Sequence, residues 1–474
     1  MVRNLAAAAL VLAAVTVQAA GGDLIAAIKN GDARLLHSLL QQRADPNAAD
    51  ADGTTALHWA VHRDDVEMAE LLLRAGANPN GTSRYGVAPL HLAATNGNAA
   101  MIDRLLRAGA DANIVQPQGE TPLMTAARTG SLAAVQALLA HGAKVDARET
   151  WKGQTALMWA AAENHVDVVR ALIAAGADAN ARSTGGVFTP FLFAVRGGQI
   201  DAARALLDAG ADVNSTLADG TSALTLAVMN AHYQLGAMLL DRGAQPNADR
   251  QGWTALHQVA WTRRPNYGYN LPGPVGTGSM DSLDFVRALV RHGANVNARQ
   301  TKEPRDGNRN MLNRIGATPF LLAAKAVDLP LMHTLLELGA DPTTPNADGT
   351  TPLMVAAGVG IWAPGESPGT EEEAIAAVQL LLDRNAGRVT DTDTHGNTAL
   401  HGAVLRAGSI PLVKMLAAKG ARLDLANDKG WTPLTIADGV EYTPDIFKRY
   451  PDTAAVLRQM MGDRGLALPQ PQAP

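Results

Sequence analysis

Cysteine is absent from all 474 residues. Its absence excludes disulfides and thiolate metal ligands, so the fold must hold by packing alone. Large aromatics are scarce too: Phe, Tyr and Trp together make up 4% of the chain. Alanine and leucine supply most of a hydrophobic fraction of 47%, which suits a core of closely approaching helices. There is no excess of positive charge, since Lys and Arg number 40 against 45 Asp and Glu. A net charge of −5 lacks the basic footprint of a general nucleic-acid binder, and no nucleic-acid partner is expected. Beyond the first 20 residues no apolar run reaches bilayer-spanning length, so no membrane span is expected either. With 47% apolar and 18% charged residues, the composition is that of a folded chain.

The first residues carry an address. Arg3 precedes an apolar run from Leu5 to Val17, which leads into Gln18, Ala19 and Ala20. A basic start, a short apolar core and a small-residue exit form the pattern of a secretory signal peptide. Val17 at −3 and Ala19 at −1 place the cut after Ala19, giving a leader of residues 1–19. The run is too short to span a bilayer comfortably. The expected location is therefore outside the cytosol, periplasmic or secreted, and a bacterial periplasm fits a basic, alanine-rich leader on a chain without disulfides.

Laid out at a period of 33 or 34, the rest of the chain repeats itself. Asp52-Gly53-Thr54-Thr55-Ala56-Leu57-His58 returns as Gln118-Gly119-Glu120-Thr121-Pro122-Leu123-Met124 and again as Gln251-Gly252-Trp253-Thr254-Ala255-Leu256-His257. The threonine slot falls at Thr55, Ala88, Thr121, Thr155, Thr189, Ser222, Thr254, Thr318, Thr351, Thr398 and Thr432. Each unit closes on an element such as Leu105-Leu106-Arg107-Ala108-Gly109-Ala110-Asp111. The glycines of the opening motif suit a tight turn with positive φ. The threonine can cap the helix that follows, and proline is tolerated in its first turn. Gly76, Gly109, Gly142, Gly176 and Gly210 end a second helix. One such helix pair cannot bury its own apolar face, so the units must stack.

These motifs resemble the ankyrin repeat family, whose pattern runs Asp-Gly-x-Thr-Pro-Leu-His-x-Ala-Ala, a second helix, then Leu-Leu-x-x-Gly-Ala-Asp-x-Asn. The resemblance covers eleven units and a degenerate starting unit entering at Leu24-Ile25-Ala26-Ala27. It implies an all-α solenoid of about 12 helix-turn-helix units with short hairpin loops over residues 20–462, followed by a flexible tail at 463–474. Family members act by binding other proteins, so the resemblance implies a monomeric, non-enzymatic scaffold for a protein partner, working through a concave face.

Departures from the repeat are where binding is expected. From Leu256 to Gly293 is 37 residues against 19 from Leu90 to Gly109, so a first insertion lies near 263–281. It holds Arg263, Arg264, Tyr267 and Tyr269, residue types favoured at recognition hot spots. A second, near 301–315, carries Lys302, Arg305, Arg309 and Arg314 and suits an anionic partner. The third, near 360–373, holds Trp362 and then Glu371-Glu372-Glu373, whose charge favours the start of the next helix. Insertions one and three leave from helix–helix junctions only one unit apart. They are expected to meet in a lobe at 260–375 that could also take a small molecule or glycan. Within the repeats, Trp59, Trp159, Phe193 and Trp261 stand at first-helix positions that would look outward on the concave side as aromatic anchors of an apolar groove.

Catalytic chemistry finds little footing. His58, His91, His257 and His401 share one repeat slot, where the resemblance implies a turn-tying hydrogen bond. There is no His-Glu-x-x-His, phosphate-cradling loop or serine elbow, and no metal or cofactor is expected.

Overall fold

A computed structural model describes residues 23–265, 273–304, 311–361, 368–443 and 446–469. The chain divides into two compact units, one ending at Asp212 and the next starting at Val213. The first holds six helix pairs, from a helix at 23–30 with Ala33–Gln41 to Pro190–Arg196 with Ile200–Asp208. The second holds six more, from Ala223–Met229 with Tyr233–Asp241 to Pro433–Asp438 with Pro451–Asp463. Within each unit, first helices pack on first helices of neighbouring pairs and second helices on second helices. The architecture is a solenoid of stacked helix-turn-helix units.

Local chemistry explains each element. In the slot that repeats, Thr55, Thr121, Thr155, Thr189, Thr318, Thr351 and Thr398 accept the N–H of the third helical residue. This satisfies one of the donors that every helix start leaves open. The histidine at that third position answers in kind. His58 Nδ1 lies 2.8 Å from Thr55 Oγ1, and its Nε2 lies 3.0 Å from the carbonyl of Val87 in the next unit. His91, His257 and His401 reach Glu120, Ala317 and Trp431 in the same manner. The histidine therefore ties its own turn, as expected, and bolts two units together as well.

A second bolt runs along the loops after each helix pair. The Asp111 side chain closes its own turn, accepting the Asn113 N–H at 2.9 Å, while its N–H donates to Asn80 Oδ1 at 2.7 Å. Asn113 is the linking residue: its Nδ2 donates to the Gly142 carbonyl and its Oδ1 accepts from Lys144 N–H at 2.7 Å. Asn47, Asn80, Asn247 and Asn297 repeat this in their own units.

The all-α solenoid carries one small addition, a two-stranded antiparallel hairpin, Val440–Thr443 with Ile446–Lys448, in the last unit. Glu371, Glu372 and Glu373 form the first turn of their helix, behind the cap Thr370, where their charge suits its positive end.

Candidate partner-binding surface

In the first unit, the aromatic positions of the first helices do not present bare rings. Trp59 is half-buried on Ala56–His62, with the Lys29 ammonium 4.1 Å from its ring centroid and the His62 ring edge-on at 5.8 Å. Trp159 is half-buried beneath the Arg128 guanidinium at 5.1 Å. Arg196 stands over Phe188 and Phe193 at 4.9 and 5.2 Å. Lys29, Arg128 and Arg196 each lie in the last turn of a first helix, where a cation also suits the negative helix end. An exposed ring face attracts such cations through its quadrupole, by about 0.5–1 kcal/mol per contact at the surface. The expected apolar groove is, in this unit, a row of aromatics roofed by positive charge.

Phe193 requires a plain correction. It is 6% exposed and packs with Met158, Ala181, Trp159, Ala162 and Phe188, so it is core rather than an outward anchor. Phe188, from the hairpin before the helix, covers it at a centroid distance of 4.9 Å.

Three outward apolar residues escaped the sequence reading. Tyr85 is 68% exposed, Trp151 is 76% exposed and Val115 is also exposed, one in each of three successive hairpins. Backbone hydrogen bonds tie neighbouring tips together. Arg84 N–H donates to the Asp52 carbonyl at 2.7 Å, Thr150 N–H to Gln118 at 2.8 Å and Thr184 N–H to Lys152 at 2.7 Å. The Glu149 carboxylate holds the tip of Trp151 by accepting the Lys152 and Gln154 N–H groups at 2.8 and 2.9 Å. Lys152 lies 4.7 Å over the Trp151 ring. The available signal was position: Tyr85 immediately precedes turn residue Gly86, and Trp151 precedes Lys152-Gly153, places where a large side chain has no core to enter.

In the second unit the described ends of the insertions are clamped. Arg263 grips Asp328 with Nε at 2.7 Å and Nη2 at 3.0 Å, and also bonds Ser282. Asp328 is fully buried and caps the helix Leu329–Glu337 by accepting the Leu331 N–H. Arg264 makes a two-pronged bond to Glu373 at 2.8 and 2.6 Å. Glu373 simultaneously accepts the Thr370 N–H at 2.9 Å, and the guanidinium holds its carboxyl down at about 2. Arg263 and Arg264 are thus not free to meet a partner; both are engaged inside the unit. Insertions one and three do meet, through Arg264 and Glu373. Trp261, half-buried, meets Trp253 edge-to-face at 5.4 Å and carries Arg314 of the second insertion at 5.5 Å. Arg314 is itself buried and paired with Glu303 at 3.0 Å. Tyr267, Tyr269, Arg305, Arg309 and Trp362 lie outside the described residues.

Among the described residues no group of three or more His, Asp or Glu side chains gathers to hold a metal, and no helix is long and apolar enough to cross a membrane. Family models for ankyrin repeats match residues 24–116, 90–183, 191–270 and 370–442, and a single-repeat model matches 251–300. The chain belongs to the ankyrin repeat family. As an ankyrin array it is a protein–protein interaction scaffold of the general kind. Similar proteins include a palmitoyltransferase-named ZDHHC13 of Danio rerio, 32% identical over 29% of this chain and 21% of that protein. Ankyrin repeat and SOCS box protein 3 of Bos taurus is 31% identical over 46% of the chain and 34% of its own length. The B-cell lymphoma 3 protein homolog of Mus musculus is 30% identical over 45% and 39%. The chain thus covers well under half of each of these relatives. Residues 301–369, with the second insertion and most of the third, fall outside every family match. Yet the ankyrin geometry persists there: Thr318 caps Pro319–Lys325, and Leu329–Glu337 follows as its second helix.

Proposed function

We propose that the chain is a non-enzymatic scaffold that binds an acidic protein segment on the first unit. The contact surface is the row of Lys29, His62, Arg128 and Arg196 over the first-helix aromatics, bordered by Tyr85, Val115 and Trp151 at the hairpin tips. The observation that carries this reading is the concentration of the exposed cations Lys29, Arg128 and Arg196 at one repeat position of a chain whose net charge is −5. Glu120, 3.5 Å from Arg128, is an acid that already answers this row within the unit. Exposed charge of this kind governs encounter rate and partner choice, while tip aromatics supply desolvated anchors.

A photo-crosslinking side chain placed at Tyr85 or Trp151 should trap one acidic protein in the native host, and the same group at Arg170, on a second helix, should not. Arg128→Glu with Arg196→Glu should weaken binding of that partner by tenfold or more and flatten its salt dependence. Arg170→Glu should leave both unchanged. Equal trapping from both faces, or charge reversal without effect, rules the surface out.

The scaffold is further proposed to act outside the cytosol, on the strength of Arg3, the apolar run Leu5–Val17 and the small residues that follow. Fractionation of the host should find the chain in the periplasm or medium with its N-terminus at Ala20. An uncleaved cytosolic chain refutes this.

A further inference from the structure

Arg406 is buried, 8% exposed, and its Nε and Nη2 have no hydrogen-bond partner. It directly follows the first helix Ala399–Leu405. Its stem lies against the end of the preceding first helix, Pro352–Ala357: a Cβ added at Gly358 would come within 2.8 Å of Arg406 Cβ. A second cation is buried at the end of Ala399–Leu405. Lys448, on the C-terminal hairpin, is 2% exposed and donates its Nζ to the Leu405 carbonyl at 3.3 Å.

Lys448 has an ordinary explanation, since a cation on a terminal helix carbonyl answers the negative helix end. Arg406 does not share it through the two orphaned nitrogens. Elsewhere at this repeat position the side chain ties back to the previous first helix: Asn96 donates to the Val61 carbonyl at 2.8 Å, and Arg63 to Lys29 at 3.2 Å. Elsewhere in the second unit the partly buried Arg263 and the buried Arg314 hold carboxylates, Asp328 and Glu303. Burial pushes Arg406 down to about 10, and burial pushes Lys448 down to about 8. An unpaired guanidinium removed from water is among the most costly groups a protein can bury. Its planar fork is shaped for two oxygens of one anion.

We infer that Arg406 is the recognition residue of an oxyanion site in the second unit, taking a carboxylate or phosphate group at the junction of the two first-helix ends, with Lys448 adding charge. The site is separate from the first-unit surface and stands or falls without it.

The test is thermal unfolding of the whole chain in chloride, acetate and inorganic phosphate at matched ionic strength. Acetate or phosphate should raise the midpoint in a saturable, millimolar fashion, as any ligand that binds only the folded state does. Arg406→Met should abolish that saturable response, Lys448→Met should weaken it severalfold, and the surface change Arg170→Gln should leave it intact. Without the anion Arg406→Met should be at least as stable as the parent. A response to acetate alone assigns a carboxylate ligand, and a response to phosphate alone assigns a phosphoryl group. In parallel, the Arg406 side-chain Nε–H NMR resonance, assigned by its absence in Arg406→Lys, should move on titration. An identical anion response in the parent and Arg406→Met, or an unmoved resonance, overturns the proposal.

Discussion

Replacing Asp328 by alanine should cost the second unit about 3–5 kcal/mol, the range for breaking a buried ion pair from one side. The carboxylate has two tasks there. It takes both prongs of Arg263, and it caps the helix Leu329–Glu337. Alanine therefore strands a largely buried guanidinium and opens a helix start, losses that act together. Two further variants separate the tasks. Asp328→Asn keeps the cap, which asparagine fills as well as aspartate, and should be less damaging than alanine by about 1 kcal/mol. Arg263→Met combined with Asp328→Ser removes the charge from both sides while keeping a cap, and should recover most of the loss. Urea midpoints for the four proteins decide the matter. An Asp328→Ala loss below about 1 kcal/mol would show that the pair is an ornament of the surface rather than a clamp.

Acid should unfold the array through its histidines before its carboxylates. His257 is fully buried, and burial holds its ring at about 4, well below the ordinary 6.5, against the weaker pull of the Ala317 carbonyl. His58, His91 and His401 are shifted in the same direction, each chiefly by burial. A histidine with a depressed folded pKa favours the folded state above its unfolded pKa. That contribution is intact above pH 6.5, fades as pH falls because the unfolded chain takes up the proton first, and is gone below the folded value. For His257 the interval from 6.5 to about 4 corresponds to about 3 kcal/mol. Glu373 stays charged throughout this interval, since its own contribution is lost only as pH falls from 4.5 towards 2. Thermal midpoints should therefore drop steeply between pH 6.5 and 4. In His257→Gln, which retains a side chain able to bond the Thr254 N–H, the slope should be visibly shallower. Parallel slopes in the two proteins would falsify the assignment.

The stack was legible because its rules are local. A threonine three residues before its partner, a glycine at positive φ and an apolar face of helical period all act within one unit, and repetition multiplies the signal. What stayed hidden depends on residues far apart in sequence. Arg263 and Arg264 read as recognition arginines because nothing in the insertion shows that Asp328 and Glu373 await them 65 and 109 residues later. Phe193 read as an outward anchor because its cover, Phe188, belongs to the hairpin rather than to the helix. The final hairpin was hidden because Val440–Thr443 is short and adjoins a helix of the usual pattern. Tyr85 and Trp151 stand outside any helical period, and only the glycines beside them mark the turns that expose them.

The contact between Arg264 and Glu373 sets the scale of events when the chain is pulled. The histidine and asparagine bolts, where they occur, reach no further than the immediate neighbour, so a stretched array can shed units singly from an end, like beads from a string. Arg264 belongs to the unit of Ala255–Arg263 and Glu373 to that of Glu371–Asp383, with the pair Pro319–Lys325 and Leu329–Glu337 between them. That bond passes over a whole unit, and on its way Arg264 also touches the Ala326 carbonyl of the pair it skips. Three units are thereby laced into one block that resists mechanical load together. Under tension the block should yield in a single long extension rather than three short ones, in the part of the chain where the regular repeat is most disturbed.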